Sequence, residues 1–125
     1  MATNRDPLTE RVIGLAIEVH RTLGPGLLES VYEDCLCHEF RSHGIEHQRQ
    51  LALPVSYKGL RLEAGFKIDA VVDRQLVLEL KAVEQILPVR EAQLLTYMKL
   101  GNYRIWLLLN LHVALLKDGV KRMVL

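Results

Sequence analysis

Residues 76–82 read LVLELKA, a short apolar run interrupted by one glutamate and one lysine. A run of this length suits a strand covered on both faces, although periodicity alone does not separate it from a buried helix segment. Strand side chains alternate, so Leu76, Leu78, Leu80 and Ala82 share one face, and Val77, Glu79 and Lys81 the other. Two opposite charges thus stand together on a strand that otherwise belongs inside. Burying a lone charge is costly unless it is paired or holds a metal. Glu79 and Lys81 are therefore either a structural ion pair or part of a site.

Just upstream, FKIDAVV (66–72) is equally apolar and is interrupted in the same way by Asp69. DRQ (73–75) separates the two runs. A three-residue turn there sets Val72 opposite Leu76 and Asp69 opposite Glu79, on the same face of an antiparallel pair. A two-residue turn would set Asp69 against Leu78 and leave Glu79 on the other side. Carboxylates at cross-strand distance repel unless a cation or a proton lies between them. Oxygen ligands without supporting Cys or His favour Mg2+ or Mn2+ over zinc. Lys81 beside them serves as a counter-charge or as a group that holds a water and a phosphate oxygen.

Working outward, LTERVIGLAIEVHRTL (8–23) carries apolar residues at helical spacing (Val12, Ile13, Ala16, Ile17), with Asp6 or Thr9 and Pro7 as start signals and GPG (24–26) as the stop. A second helix is expected from about Leu27 to Ser42, with Leu28, Val31, Tyr32, Cys35, Leu36, Glu39 and Phe40 as its stripe and Gly44 as its cap. Residues 45–59 read as one or two strands and 61–83 as a hairpin or meander. ILPVREAQLLTYMKLGN (86–102) returns to a helical period, with Pro88 in the first turn and Gly101 at the end. YRIWLLLNL (103–111) is a strong strand with Trp106 in its core. HVALLKDGVKRMVL (112–125) has Asp-Gly between apolar runs, the strongest hairpin signal in the chain. The order α, α, β, β, β, α, β, β, with a further strand where the C-terminal run forms a hairpin, implies one α/β domain over residues 1–125, a mixed β-sheet flanked by helices.

The chain has 125 residues, 50% hydrophobic and 25% charged, with a net charge of +1. One core suffices for this length, and bulk charge announces neither a nucleic-acid binder nor a membrane-surface protein. MATNRDPLTE lacks the layout of a signal peptide, and no apolar stretch is long enough to span a bilayer. The two cysteines, Cys35 and Cys37, would diverge on a helix, and free thiols without an export signal suggest the cytoplasm. Together with His38, His43 and His47 they match no usual zinc layout. His20 sits on the apolar stripe of the first helix, where a hydrogen-bonded core role is the ordinary one. Lys58, Arg61 and Lys67 are more simply solvated charge than a basic rim for a phosphate backbone.

An aspartate, then about ten residues later Glu-x-Lys on the next strand, resembles the PD-(D/E)XK nuclease superfamily. Asp69 matches its metal-binding aspartate, and Glu79, Leu80 and Lys81 its E-x-K element; Ile68 stands where the superfamily name has proline. GLLESVY (Gly26, Glu29, Tyr32) is similar to the signature of the small bacterial GxxExxY proteins grouped with that superfamily. QLLTY (Gln93, Tyr97) looks like the Gln-x-x-x-Tyr helix of its exonuclease-type members. The resemblance implies a restriction-endonuclease-like core and a metal-dependent phosphodiesterase acting on DNA or RNA. Asp69, Glu79 and the Leu80 carbonyl would hold Mg2+ or Mn2+, and Glu29 would add a ligand directly or through water. Lys81 would act on the attacking water and the phosphate, and Gln93 and Tyr97, four apart on one helical face, would reach the same site. The competing reading is a nuclease-fold module that binds nucleic acid or a partner protein without cutting. A homodimer formed through a sheet edge or the apolar C-terminal hairpin is a third expectation.

Overall fold

The computed structural model describes residues 6–124. Residues 1–5, the start of the segment read above for a leader, lie outside that range, as does Leu125. Helix α1 (Pro7–Leu23) begins where Asp6 accepts the Thr9 amide at 2.7 Å, with Pro7 in the first turn. Its buried stripe is Val12, Ile13, Ala16, Val19 and His20, while Ile17, expected on that stripe, lies at its exposed rim. In the GPG bend, Gly24 (φ +79°) and Gly26 (φ +95°) take left-handed conformations that a side chain would resist. Helix α2 (Glu29–Ser42) therefore starts two residues later than its pattern implied. It buries Tyr32, Glu33, Leu36, Cys37 and Phe40. Leu28, placed on the stripe from sequence, is 74% exposed because it is the extended residue before the first turn.

Five strands follow: β1 (His47–Tyr57), β2 (Leu60–Val72), β3 (Leu76–Lys81), β4 (Ile105–Asn110) and β5 (Val120–Val124), with α3 (Pro88–Gly101) between β3 and β4. They lie side by side in the order of the chain. β3 and β4 are parallel, joined by the α3 crossover that such a pair needs, and the other pairs are antiparallel. The expected mixed α/β sheet is present. The register of β1 and β2 shifts between Leu53 and Val55, at Pro54, which has no amide to give the ladder.

Two cores sandwich the sheet. Leu76, Leu78, Leu80, Leu107 and Leu109 pack under α1 and α2, and Val77, Trp106 and Leu108 pack with Leu94 and Met98 of α3. β3 and β4 are thus buried on both faces, and each fully buried leucine contributes about 1.5–3 kcal/mol. Burial from two sides is why their sequences read as unbroken apolar runs.

The C-terminal segment differs from expectation. Asp118 and Gly119 close a 3-10 turn (Leu116–Gly119), and β5 pairs with β4 rather than with residues 112–117. His112, Ala114 and Leu115 are exposed, while Leu116 reaches the core. A Cβ at Gly119 would overlap the Asn110 carbonyl oxygen. The glycine permits a close backbone approach, not a tight hairpin turn. Among the described residues no helix is long and apolar enough to cross a membrane.

Candidate active site

The turn after β2 has three residues, with Asp73 (φ +51°) and Arg74 (φ +59°) both left-handed, and Val72 stands opposite Leu76. The β2–β3 ladder runs from that pair to Ala70–Leu78 and stops. One step further, side chains take over from backbone. The Leu80 amide donates to Asp69 Oδ2 at 2.8 Å, and the Asp69 amide donates to Glu79 Oε1 at 3.2 Å. Beyond this point β2 leaves β3 and continues with β1 as a two-stranded ribbon, so the two carboxylates sit in the fork.

The amide and carbonyl of one strand residue project to the same side. The Leu80 carbonyl is therefore directed toward the fork, whereas that of Lys81 points to β4 and accepts the Leu111 amide at 2.7 Å. Each carboxylate spends one oxygen on an amide. Among the described residues, Asp69 Oδ1 and Glu79 Oε2 accept no hydrogen bond.

Glu79 is 7% exposed. Burial, and then the charge of Asp69, push its carboxyl up to about 7, against the pull of the Asp69 amide, Lys81 and Arg90. The half-buried Lys81 has no carboxylate within salt-bridge distance among the described residues. The structural ion pair weighed for Glu79 and Lys81 is thus not formed. Lys81 offsets the charge of Glu79 from farther away.

Glu29 arrives from the first turn of α2, and its Oε2 accepts the Ala82 amide at 2.9 Å. Leu80 and Ala82 are two residues apart, so Asp69 and Glu29 cap successive amides on one edge of the β3 segment, about 7 Å apart. Tyr32 secures that approach from below: its hydroxyl donates to the Gly24 carbonyl at 2.5 Å and accepts the Leu27 amide at 3.2 Å. A cleft of about 550 Å3 lined by Leu27, Leu28, Glu29, Ala82 and His112 opens at this end of the sheet.

Whether a dication suits the fork is decided by its donors. Two carboxylate oxygens without partners among the described residues and a neighbouring carbonyl form an all-oxygen set, the chemistry of Mg2+ or Mn2+. Burial first and then the repulsion of Asp69 raise the pKa of Glu79, and such an ion relieves the repulsion. Among the described residues no three of His, Cys, Asp and Glu converge closely enough to hold a metal, so a third protein ligand must come from backbone.

The remaining candidates are placed differently. Tyr97 stacks on Phe66, ring centroids 3.4 Å apart, and tilts toward Trp106 in the α3 core. Gln93 is exposed, and its amide oxygen accepts from Arg90 at 2.8 Å. His20 is buried, with Nε2 3.0 Å from the Leu111 carbonyl. Cys35 and Cys37 are free thiols. Arg61 pairs with Glu63 at 2.5 Å, and Lys58 lies over its neighbour Tyr57, so neither stands as an uncommitted rim.

Two contributors escaped the sequence reading. Arg90, at the start of α3, lowers the pKa of Glu79 through its charge. Asn110 ends β4, 7% exposed, and holds both backbone groups of Val83: its Nδ2 donates to the carbonyl at 2.8 Å and its Oδ1 accepts the amide at 3.2 Å. An asparagine closing the apolar run LLLN was its only signal.

A family model described as the PD-(D/E)XK nuclease superfamily matches residues 6–123. No curated protein and no solved structure gives a match.

Proposed function

Because the chain belongs to the PD-(D/E)XK nuclease superfamily, we propose that it is a Mg2+- or Mn2+-dependent nuclease that hydrolyses phosphodiester bonds of DNA or RNA. The observation that carries this reading is the fork itself. Among the described residues, Asp69 and Glu79 each keep one oxygen without a protein partner beside the Leu80 carbonyl, and Lys81, two residues along the strand, has no carboxylate within salt-bridge distance. Asp69, Glu79 and the Leu80 carbonyl would hold the ion, and Glu29 would reach it through water. Such an ion would supply an acidified water and offset charge on the phosphate. Lys81 would orient the attacking water and donate to the phosphate oxygen as negative charge grows there. Glu79 itself lies out of bulk water, and Arg90 adds positive charge for an anionic substrate. Gln93, bonded to Arg90, orients that guanidinium. Tyr97 supports the site through its packing on Phe66. The narrower GxxExxY assignment rests on Gly26, Glu29 and Tyr32.

The test is cleavage of single- and double-stranded DNA and RNA with Mg2+ or Mn2+. Activity that disappears in Asp69→Ala and Glu79→Ala supports the reading; activity that survives both belongs to another site or a contaminant. The second reading, a nuclease-fold module that binds without cutting, is favoured by the lack of a third converging carboxylate or imidazole among the described residues. Metal binding with no cleavage across the whole substrate panel would select it.

A further inference from the structure

Both strands that lead into the site change faces at one step. On β1, His47 tilts against Phe40 and Arg49 binds Glu33 and Asp34, all on the side of α1 and α2. Leu51 and Leu53 instead join the α3 core. On β2, Ala70 and Val72 lie in the α1–α2 core, but Ile68 and Phe66 lie in the α3 core. Regular alternation keeps residues two apart on one face. The break falls at Gln50 and Asp69, the facing pair missing from the ladder between Arg49–Ala70 and Leu51–Ile68.

Gln50 has φ +49° in the interior of β1. A residue with a side chain holds this left-handed conformation only when its surroundings over-determine it. Here the surroundings are Glu33 of α2, itself 8% exposed. Glu33 Oε1 accepts Gln50 Nε2 at 3.0 Å, and its Oε2 accepts Arg49 Nε at 3.0 Å. One buried carboxylate therefore grips two consecutive residues of β1 at the step where the ribbon inverts.

We propose that Glu33 and Gln50 are positioning residues for Asp69. Glu33 locks Gln50 in its left-handed turn, the turn inverts the β1–β2 ribbon, and the inversion sets the Asp69 carboxylate against the Leu80 amide in the fork. A regular strand through Gln50 would carry Leu51 and Leu53 toward α2 and take the ribbon out of the geometry in which the Asp69 carboxylate accepts the Leu80 amide. The consequence for metal binding rests on the nuclease reading above; the placing of Asp69 does not.

Hydrogen exchange of the Leu80 amide in metal-free protein tests the placing, and Mn2+ titration by calorimetry tests the consequence. Gln50→Val introduces a β-branched residue that resists positive φ. It should lower Leu80 protection and Mn2+ affinity by about tenfold or more, whereas Gln50→Gly should stay within about threefold of the parent. The Leu107 amide, in the core, should keep its protection in both. Glu33→Leu should behave like Gln50→Val, and Glu33→Gln, which retains an oxygen and a planar head, should recover most of the loss. Unchanged Leu80 protection in Gln50→Val overturns the proposal. Should that variant fail to fold, equal Leu80 protection in Glu33→Leu and Glu33→Gln overturns it instead. Asp69→Ala separates the two readings. Mn2+ binding that ignores Asp69→Ala ends the metal-site reading, while loss of Leu80 protection in Gln50→Val still supports the positioning role.

Discussion

Asp69 and Glu79 are joined one way only: the Asp69 backbone amide donates to Glu79 Oε1, while among the described residues the two carboxylates make no hydrogen bond to each other. Asp69 accepts an amide of β3 at 2.8 Å, and Glu79 accepts an amide of β2 at 3.2 Å. This crossed arrangement ends the ladder while keeping both amides satisfied, and it holds a buried carboxylate, Glu79, beside a half-buried one, Asp69. The repulsion is tolerated because each carboxylate is hydrogen-bonded. It is also the feature from which the chemistry of the site follows.

The first expected outcome concerns stability and pH. Glu79 titrates near 4.5 when unfolded and near 7 when folded, chiefly because it is buried and secondarily because of Asp69. Below the lower value both forms carry the proton and the native state keeps its full stability. As pH rises toward 7 the unfolded chain releases that proton first, and stability falls by up to about 3 kcal/mol. Urea unfolding across this range should show the decline, and Glu79→Gln should flatten it and be the more stable protein above pH 7. A decline of the same size in Glu79→Gln would place its origin elsewhere.

A dication should reverse that loss. Metal binds the ionised carboxylate, so Mn2+ affinity should rise with pH up to about 7 and level off above it. Thermal unfolding at pH 8 should shift upward with Mn2+ by an amount set by mass action. Asp69→Asn and Glu79→Gln should each remove most of the shift. A shift indifferent to both substitutions would locate the ion away from the fork.

Much of this site was legible because LVLELKA and FKIDAVV share a length, an apolar character and one charged interruption each, and DRQ allows an odd-numbered turn. The register then follows from counting. What counting misses is a strand that changes faces. Alternation assumes one regular strand, and a left-handed glutamine leaves no mark in composition, since Gln50 has neither the glycine nor the asparagine that usually signals positive φ. Arg90 and Asn110 escaped for a different reason: their influence arises from the ends of α3 and β4 meeting beside β3, a tertiary fact. The Asp-Gly near the C-terminus misled because glycine serves close backbone contact as readily as it serves a tight turn.

Removing one hydroxyl beneath the GPG bend tests how Glu29 is delivered. Tyr32 is buried, and its oxygen both donates to Gly24 and accepts from Leu27. Tyr32→Phe strands the Leu27 amide and should cost about 1–3 kcal/mol. Because the bend fixes where α2 begins, the Ala82 amide bound by Glu29 should exchange faster in the variant, measured by native-state hydrogen exchange. Ala82 protection equal to that of the parent would mean that α2 holds Glu29 in place without help from Tyr32.

Lys81 offers the sharpest division between holding an ion and using it. Its ammonium has no carboxylate within salt-bridge distance among the described residues, yet its charge is felt at Glu79. Removing it leaves both carboxylates and the Leu80 carbonyl untouched, so Lys81→Ala should bind Mn2+ with nearly the parent affinity. Under the proposed nuclease reading, the hydrolytic rate should fall by about 100-fold or more with little change in KM, the signature of an interaction made mainly in the transition state. Lys81→Arg should recover little, because a planar guanidinium does not occupy the place of a compact ammonium. Ca2+ should bind the fork with looser geometry and support little turnover, since it acidifies water less than Mg2+ does. Single-turnover kinetics in Mg2+ and in Ca2+, beside calorimetric Mn2+ titration of the same variants, separates the two functions. A Lys81→Ala variant that loses metal affinity and rate together would make this lysine a support for the ion-binding carboxylates rather than a partner of the water.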